Sequence, residues 1–119
     1  MTRTAYAASV AYVTRDGSTI RELMHPSRHG NRRQSLAEAT VEPGARTALH
    51  VHRLSEEIYH VTAGEGQMTL GDECFAVRAG DTVCIAPGTP HCIANHGAGP
   101  LRFLCACAPA YSHDDTQLL

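Results

Sequence analysis

The sequence contains no lysine, and its ten basic side chains are all arginines. The formal charge is −2 and the isoelectric point lies near 6.4. A protein that binds nucleic acid or an anionic membrane through surface charge needs a basic patch, so neither is expected as a partner, and a small-molecule substrate is favoured. No lysine-based phosphate site is available either, so arginine alone would have to bind a phosphorylated substrate.

Long apolar runs are also missing. No stretch approaches the ~20 apolar residues of a membrane span, and residues 1–10 lack the continuous apolar core of a signal peptide. We therefore expect a cytoplasmic protein. The five cysteines are an odd number without zinc-ribbon spacing, and cytosolic thiols normally stay reduced, so no structural disulfide is expected.

The sequence has no linker, internal repeat or low-complexity tract, and it carries no helix-turn-helix segment or basic tail of a DNA-binding regulator. Its 119 residues are enough for one hydrophobic core and too few for two. A single domain is predicted.

Short apolar or alternating runs separated by glycine-bearing turns fill the sequence, which is typical of an all-β protein. Residues 11–14 and 19–24 flank Arg15-Asp16-Gly17-Ser18, where the Asp-Gly pair suits a hairpin turn. Further strands are predicted at 34–42, 57–62, 67–70, 73–78, 82–85, 91–95 and 101–108, with one more around residues 50–52. About ten short strands fit a jelly roll or a small barrel.

Two histidines, His50 and His52, are separated by one residue, and Glu57 follows five residues after His52. Side chains two apart in a strand project from the same face, with their backbones roughly 6 to 7 Å apart, so the two imidazoles can converge on one ion. The same alternation turns Glu56 toward solvent and points His60 away from the ion.

The spacing G-x5-H-x-H-x4-E-x6-G over residues 44–64 resembles the first motif of the cupin superfamily position for position. Residues 80–95 resemble the second cupin motif, except that Ala86 stands where the family has proline. This difference lies in a turn and does not change a candidate ligand. The resemblance implies that His91 is a further metal ligand and that Asn95 supports the loop beside it.

A small single-domain cupin, or monocupin, has a double-stranded β-helix, which is a jelly-roll barrel. The resemblance therefore implies an N-terminal β-ribbon extension at 1–30, a cupin barrel at 31–110 and a C-terminal tail at 111–119. Small cupins of this kind usually pair through N-terminal strands or a barrel face, so a homodimer is expected, with residues 1–30 as its contact.

Three imidazoles and one carboxylate, from His50, His52, Glu57 and His91, suit one divalent transition metal ion such as Fe, Mn, Zn, Ni or Co. Four ligands on an octahedral ion leave two positions open, which is a catalytic layout. Oxygen-dependent oxidoreductase or dioxygenase chemistry on a small organic acid or sugar-like substrate is favoured. The alternatives are a Lewis-acid isomerase, decarboxylase or lyase using Mn, Zn or Ni, and a non-catalytic small-molecule-binding cupin.

Other candidate site residues follow from strand parity and turns. Tyr59 shares the parity of Glu57 and is predicted to project toward the cavity as a catalytic group. His96 lies in a turn predicted to reach the barrel mouth, where it would transfer protons; the alternative is an exposed turn histidine. Gln34 and Glu38 are predicted to meet substrate from another wall, unless they form the solvated face of their strand.

On the last long strand, alternation turns Arg102 outward and brings Phe103, Cys105 and Cys107 inward. Phe103 is therefore a candidate substrate contact. The role of the two thiols stays open, although buried free cysteine ordinarily packs as a small apolar residue.

Overall fold

Short antiparallel strands in two sheets make up the fold. The computed structural model describes residues 2–119 of the chain. Within that range the strands are β1 (Tyr12–Val13), β2 (Thr19–Met24), β3 (Ser35–Val41), β4 (His50–His52), β5 (Glu56–Ala63), β6 (Glu65–Leu70), β7 (Glu73–Arg78), β8 (Thr82–Ile85), β9 (His91–Ala94), β10 (Leu101–Ala108) and β11 (Thr116–Leu118). A single 3-10 turn (Tyr6–Ala8) and a four-residue helix α1 (Pro26–His29) complete the described elements. Neither is long enough to cross a membrane, and no helix in the described range is.

The larger sheet has the strand order β1-β2-β3-β10-β5-β8, and the smaller has the order β11-β4-β9-β6-β7. Side chains from both sheets meet in one core, whose most deeply buried members include Ala39, Val61, Met68, Ile93 and Phe103. The expected all-β jelly roll is therefore confirmed. The bounds of β2, β7, β8 and β10 coincide with those predicted from the sequence.

The N-terminal ribbon is an integral part of the larger sheet. β1 pairs with β2 across the predicted turn, in which Gly17 has a φ of 93°, and β2 pairs with β3. Ile20 and Glu22 on the inner face of β2 are buried. The ribbon thus forms one wall of the barrel interior, while its use as a dimer contact stays a prediction.

The last nine residues were expected to be a tail, and this is wrong. Residues 116–118 form β11, an edge strand that pairs with β4 so that Thr116 lies opposite His52 and Leu118 opposite His50. Pairing satisfies the exposed edge of the strand that carries two of the candidate ligands. The C-terminus therefore supports the site directly.

Gly64, the last glycine of the first motif, links β5 to β6 with a φ of 80°. A β-carbon at this position would collide with the main-chain carbonyl oxygen of Pro100. Both the left-handed backbone and the close approach of the loop before β10 require glycine here.

Candidate metal centre

Three strands bring the four predicted ligands to one point inside the barrel. His50 and His52 lie on β4, Glu57 on β5 and His91 on β9, and His50 is paired with His91 across the smaller sheet. All four residues are buried, and none is more than 5% exposed. One donor atom from each lies within 4.8 Å of the others.

Glu57 projects from the larger sheet toward the three imidazoles of the smaller one. Its Oε1 atom lies 3.3 Å from Nε2 of His52 and 3.4 Å from Nε2 of His91. The rings of His50 and His91 are 4.1 Å apart between centroids. The four donors therefore form a compact cluster at the interface of the two sheets.

The Nδ1 atoms of the histidines point outward from this cluster to oxygen acceptors. Nδ1 of His50 donates to the carbonyl oxygen of Ala48 at 2.7 Å, and Nδ1 of His91 donates to that of Thr89 at 2.9 Å. A carbonyl can only accept, so each ring carries its hydrogen on Nδ1 and presents the Nε2 lone pair to the centre.

The tautomer of His52 follows from a chain of two hydrogen bonds. The hydroxyl of Thr116 donates to the carbonyl oxygen of Ser112 at 2.9 Å, so its Oγ1 atom accepts from Nδ1 of His52 at 3.0 Å. His52 therefore also presents an unprotonated Nε2. Partners of this kind orient metal-binding histidines and raise the basicity of the free nitrogen.

The donor set fits a divalent cation. Oε1 of Glu57 and Nε2 of His91 are buried and have no hydrogen-bond partner. Lone pairs of three neutral imidazoles and a carboxylate crowded into one buried space repel one another unless a positive charge lies between them. Imidazole nitrogen with carboxylate oxygen is a suitable set for a first-row transition metal ion.

The protonation states agree with this assignment. Burial would raise the pKa of Glu57, but hydrogen bonding and positive charge at His52 and His91 lower it to about 2. These two effects need a positive charge between Glu57 and the rings, which protons supply in the protein alone and a divalent cation would supply when the rings are neutral. Burial, followed by the proximity of His91, lowers the pKa of His50. The Glu57 carboxylate is thus ionised and the His50 imidazole is neutral, and these are the forms that bind metal.

Cys107 contacts the carboxylate from the side away from the histidines. Its thiol donates to Oε2 of Glu57 at 3.2 Å. Burial and then the charge of Glu57 raise the pKa of this thiol, so it remains protonated and keeps donating. Burial likewise raises the pKa of Cys105. Cys107 therefore fixes the orientation of Glu57, a contact that the sequence did not indicate.

A narrow, partly open cavity of about 40 Å³ adjoins the cluster. Three of the four candidate ligands line it: His50, His52 and Glu57. Asp16, from the turn of the N-terminal ribbon, also lines it and places Oδ2 3.7 Å from Nε2 of His50. The backbone N–H and the hydroxyl of Ser18 hold the other oxygen of Asp16 at 2.9 and 2.6 Å.

Comparison with known proteins agrees with this architecture. The sequence profile of the cupin domain matches residues 37–107, which is more than half of the chain. The chain belongs to the cupin family.

Two curated relatives and one solved structure illustrate the range of similar cupins. The uncharacterized protein MJ1618 of Methanocaldococcus jannaschii is 51% identical over 98% of this chain and 94% of its own length. The polyketide synthase CurC of Streptomyces cyaneus is 29% identical over 85% of this chain and 69% of its own. The polyketide cyclase RemF of Streptomyces resistomycificus is 25% identical, with a TM-score of 0.83 over 100% of this chain and 85% of that structure.

Two other predicted site residues reach the cavity of this cupin. Tyr59 and Phe103 both line it, and their ring centroids are 4.5 Å apart. The Tyr59 ring also lies 6.0 Å from that of His91. Burial, followed by the charge of Glu57, raises the pKa of Tyr59 well above its ordinary value, so the phenol stays protonated. A catalytic role for Tyr59 stays a prediction.

Gln34 and Glu38 do not face the cavity, and their predicted placement is wrong. The inner face of β3 carries Ser35, Ala37 and Ala39 instead, and Gln34 is exposed outside the barrel. Glu38 accepts a hydrogen bond from the hydroxyl of Tyr6 on the outer surface. They belong to the solvated face of the strand, which was the alternative considered for them.

His96 is also misplaced by the sequence prediction. It is exposed and lines a surface groove with Glu65, Arg78 and Asp81, and it is not among the residues around the metal-side cavity. His96 lies in the loop after β9, next to buried Asn95, and its own side chain is exposed, so the alternative of an exposed turn histidine is the one observed. Geometry gives no support to proton transfer by His96 at this site.

Asn95 organises the loop that follows β9, as expected. Its side-chain nitrogen donates to the carbonyl oxygens of Val41 and Gly99, both at 2.9 Å, and its oxygen accepts from the N–H of Gly97 at 2.9 Å. The side chain is fully buried. It anchors the end of the strand that carries His91 without contacting the imidazole.

Sequence reasoning missed the residues that the two termini contribute to the cavity. Asp16 and Glu22 come from the ribbon, while Tyr111 and Thr116 come from the C-terminal segment. One signal was available: strict alternation in β2 places the charged Glu22 on the same face as apolar Ile20. No comparable signal marks Thr116, because its partner His52 is 64 residues away in sequence.

Proposed function

We propose that this cupin is a metal-dependent enzyme that catalyses non-redox proton transfer on a small oxygenated organic molecule. The observation that carries the proposal is the buried convergence of three free Nε2 atoms and one carboxylate oxygen beside a cavity. His50, His52, Glu57 and His91 would hold the ion. A divalent ion bound there supplies Lewis-acid polarisation of a substrate carbonyl or hydroxyl oxygen.

The other cavity residues suit the handling of protons. Asp16 is oriented by Ser18 on the ligand side of the cavity, where its free oxygen is placed to accept a proton from the substrate. Tyr59 remains a neutral phenol that can donate a hydrogen bond. Phe103 and Ile20 form an apolar wall that excludes water.

The similarity to RemF supports non-redox chemistry, because RemF is a polyketide cyclase and the similarity extends over the whole of this chain. Ring closure is a reaction that a Lewis acid and a proton acceptor can promote without net oxidation. Oxygen-dependent dioxygenase chemistry, favoured from the ligand set alone, is the second candidate. An iron ion held by the same four residues would supply the redox chemistry that dioxygenation needs.

Metal content and two parallel assays test the proposal. Freshly purified protein is analysed for Fe, Mn, Co, Ni and Zn beside the double variant His50→Ala/His52→Ala. Each metal-loaded form is then incubated with small hydroxy ketones and 1,3-dicarbonyl compounds in D₂O, with deuterium incorporation followed by NMR and oxygen uptake followed by electrode.

The expected result is near-stoichiometric metal in the wild type, loss of metal in the double variant, and deuterium incorporation next to a carbonyl without oxygen uptake. Oxygen uptake that matches substrate loss would instead assign dioxygenase chemistry. Tight binding of compounds with neither activity would identify a non-catalytic binding protein, and equal metal content in both proteins would refute the metal centre.

A further inference from the structure

Glu22 is a buried carboxyl group that the proposed chemistry does not use. Its residue is 7% exposed, it lines the cavity, and its Oε2 atom is buried without a hydrogen-bond partner. An unpartnered carboxylate in such a place costs several kcal/mol in general, and a hydrogen-bond donor or positive charge on a ligand would offset that cost.

Glu22 lies across the cavity from the candidate metal centre. In the larger sheet it pairs with Ala37, which pairs with Cys105, which pairs with Tyr59. Tyr59 is on β5, the strand that carries Glu57. Three strand spacings separate β2 from β5, which places their backbones roughly 14 Å apart along the sheet.

Small side chains line the space between Glu22 and the candidate metal centre. Ser35, Ala37 and Ala39 on the inner face of β3 leave room that larger residues would fill. Apolar groups, including Ile20 and Phe103, complete the walls. A ligand would therefore have polar groups at both ends and an apolar middle.

The charged side chains that line the cavity restrict which ligands can bind near Glu22. Within residues 2–119, the cavity lining includes the carboxyl groups of Asp16, Glu22 and Glu57 and neither arginine nor lysine. His25 and Arg28 act on Glu22 from outside this lining, and burial nevertheless raises the pKa of Glu22 above its ordinary value. A phosphate or second carboxylate near Glu22 would meet a like charge with no cation in the wall to neutralise it.

We propose that Glu22 binds the end of the substrate remote from the metal, and that the substrate is a neutral or cationic molecule with an O–H or N–H donor at that end. This inference rests on the proposed function, because the other end of the substrate is held at the metal centre. It refines the sequence-based expectation of an organic acid: an acidic group is compatible only with the metal end.

Bifunctional probes test the two ends separately. Alkyl hydroxamic acids of matched length, which chelate metal through two oxygens, are prepared with a methyl, an ammonium or a carboxylate group at the far end. Their dissociation constants for zinc-loaded protein are measured by calorimetry at several pH values up to about 8, because burial raises the pKa of Glu22 and a higher pH favours its ionised form. The proteins compared are the wild type, Glu22→Gln, and Glu38→Gln as a control on the outer face of the neighbouring strand.

The ammonium probe should bind the wild type roughly tenfold more tightly than the methyl probe, and the carboxylate probe more weakly than either. Glu22→Gln should abolish the ammonium advantage and lessen the carboxylate penalty, whereas Glu38→Gln should change neither. Equal probe ratios in wild type and Glu22→Gln would overturn the role of Glu22 while leaving the metal centre intact. Failure of even the methyl probe to bind would overturn both proposals.

Discussion

Thr116 offers a sharp test of how the C-terminal strand supports the metal centre. Its Oγ1 atom accepts the hydrogen bond from Nδ1 of His52 and keeps the lone pair of Nε2 directed at the candidate metal centre. The substitution Thr116→Val preserves side-chain shape and removes only the acceptor. The carbonyl oxygen of Ser112 keeps a second donor, the N–H of Asp115 at 3.2 Å, so only His52 loses a partner.

The expected loss of metal affinity is about 10- to 100-fold, the usual effect of removing a hydrogen-bond partner of a metal-binding histidine. This corresponds to roughly 1.4 to 2.8 kcal/mol of binding free energy. His52 is 4% exposed, so water cannot readily replace the lost acceptor. The imidazole then also becomes free to carry its hydrogen on Nε2, which does not bind metal.

Zinc affinity is measured by competition with a chromophoric chelator, with Thr116→Ser as the matched control because serine retains the hydroxyl. Thr116→Ser should stay within about threefold of the wild type. Melting curves of the metal-free proteins establish that β11 remains folded. If Thr116→Val binds zinc as tightly as Thr116→Ser while His52→Ala loses it, the assigned tautomer and the supporting role of Thr116 are refuted.

Three further outcomes are expected. Because burial raises the pKa of Glu22 in the folded protein, the wild type loses stability as the pH rises from the ordinary carboxyl range through the raised pKa. The melting temperature of metal-free Glu22→Gln should therefore match that of the wild type at acid pH, exceed it as the pH rises, and keep a constant excess above the raised pKa. Iodoacetamide followed by peptide mass mapping should modify exposed Cys74 well before the buried Cys105 and Cys107, whose raised pKa values keep them as thiols. We also propose the homodimer expected through residues 1–30, where Val13 on β1 is 69% exposed. Val13→Glu should then give monomers in light scattering.

Each of these three predictions would be refuted by a specific result. A pH-independent difference between Glu22→Gln and the wild type would show that the carboxyl group is not buried in a costly site. Alkylation of Cys107 as fast as Cys74 would show that the interior is open to solvent. A wild-type protein that is monomeric at high concentration would remove the homodimer proposal.

His50 and His52 could be predicted from local strand geometry, whereas Glu57 and His91 could be predicted only from the resemblance to the cupin motifs, because they lie on two other strands. Residues two apart on a strand share a face, so His50 and His52 converge whatever the rest of the chain does. Alternation also placed Tyr59 and Phe103 correctly, because each lies on a strand whose inner face is clearly marked by buried apolar neighbours.

The same rule failed on β3 because its two faces differ little in hydrophobicity. The outward face carries Leu36 and Glu38, with exposed Gln34 just before the strand, and the inward face carries the small residues Ser35 and Ala37. Small side chains face inward here because the barrel encloses a cavity at this point, and a cavity is a property of several strands together. A single strand cannot show that its smallest residues line an empty space.

The termini supply what the cupin motifs leave unspecified. The motif residues from β4, β5 and β9 determine where an ion would bind, and many chemistries are compatible with that arrangement. Asp16 and Glu22 enter the cavity from the N-terminal ribbon, and Thr116 orients His52 from the C-terminal strand. Since these contacts join residues far apart in sequence, they became visible only in the fold. Substrate selection in this cupin should therefore change when the ribbon is altered, even when every motif residue is kept.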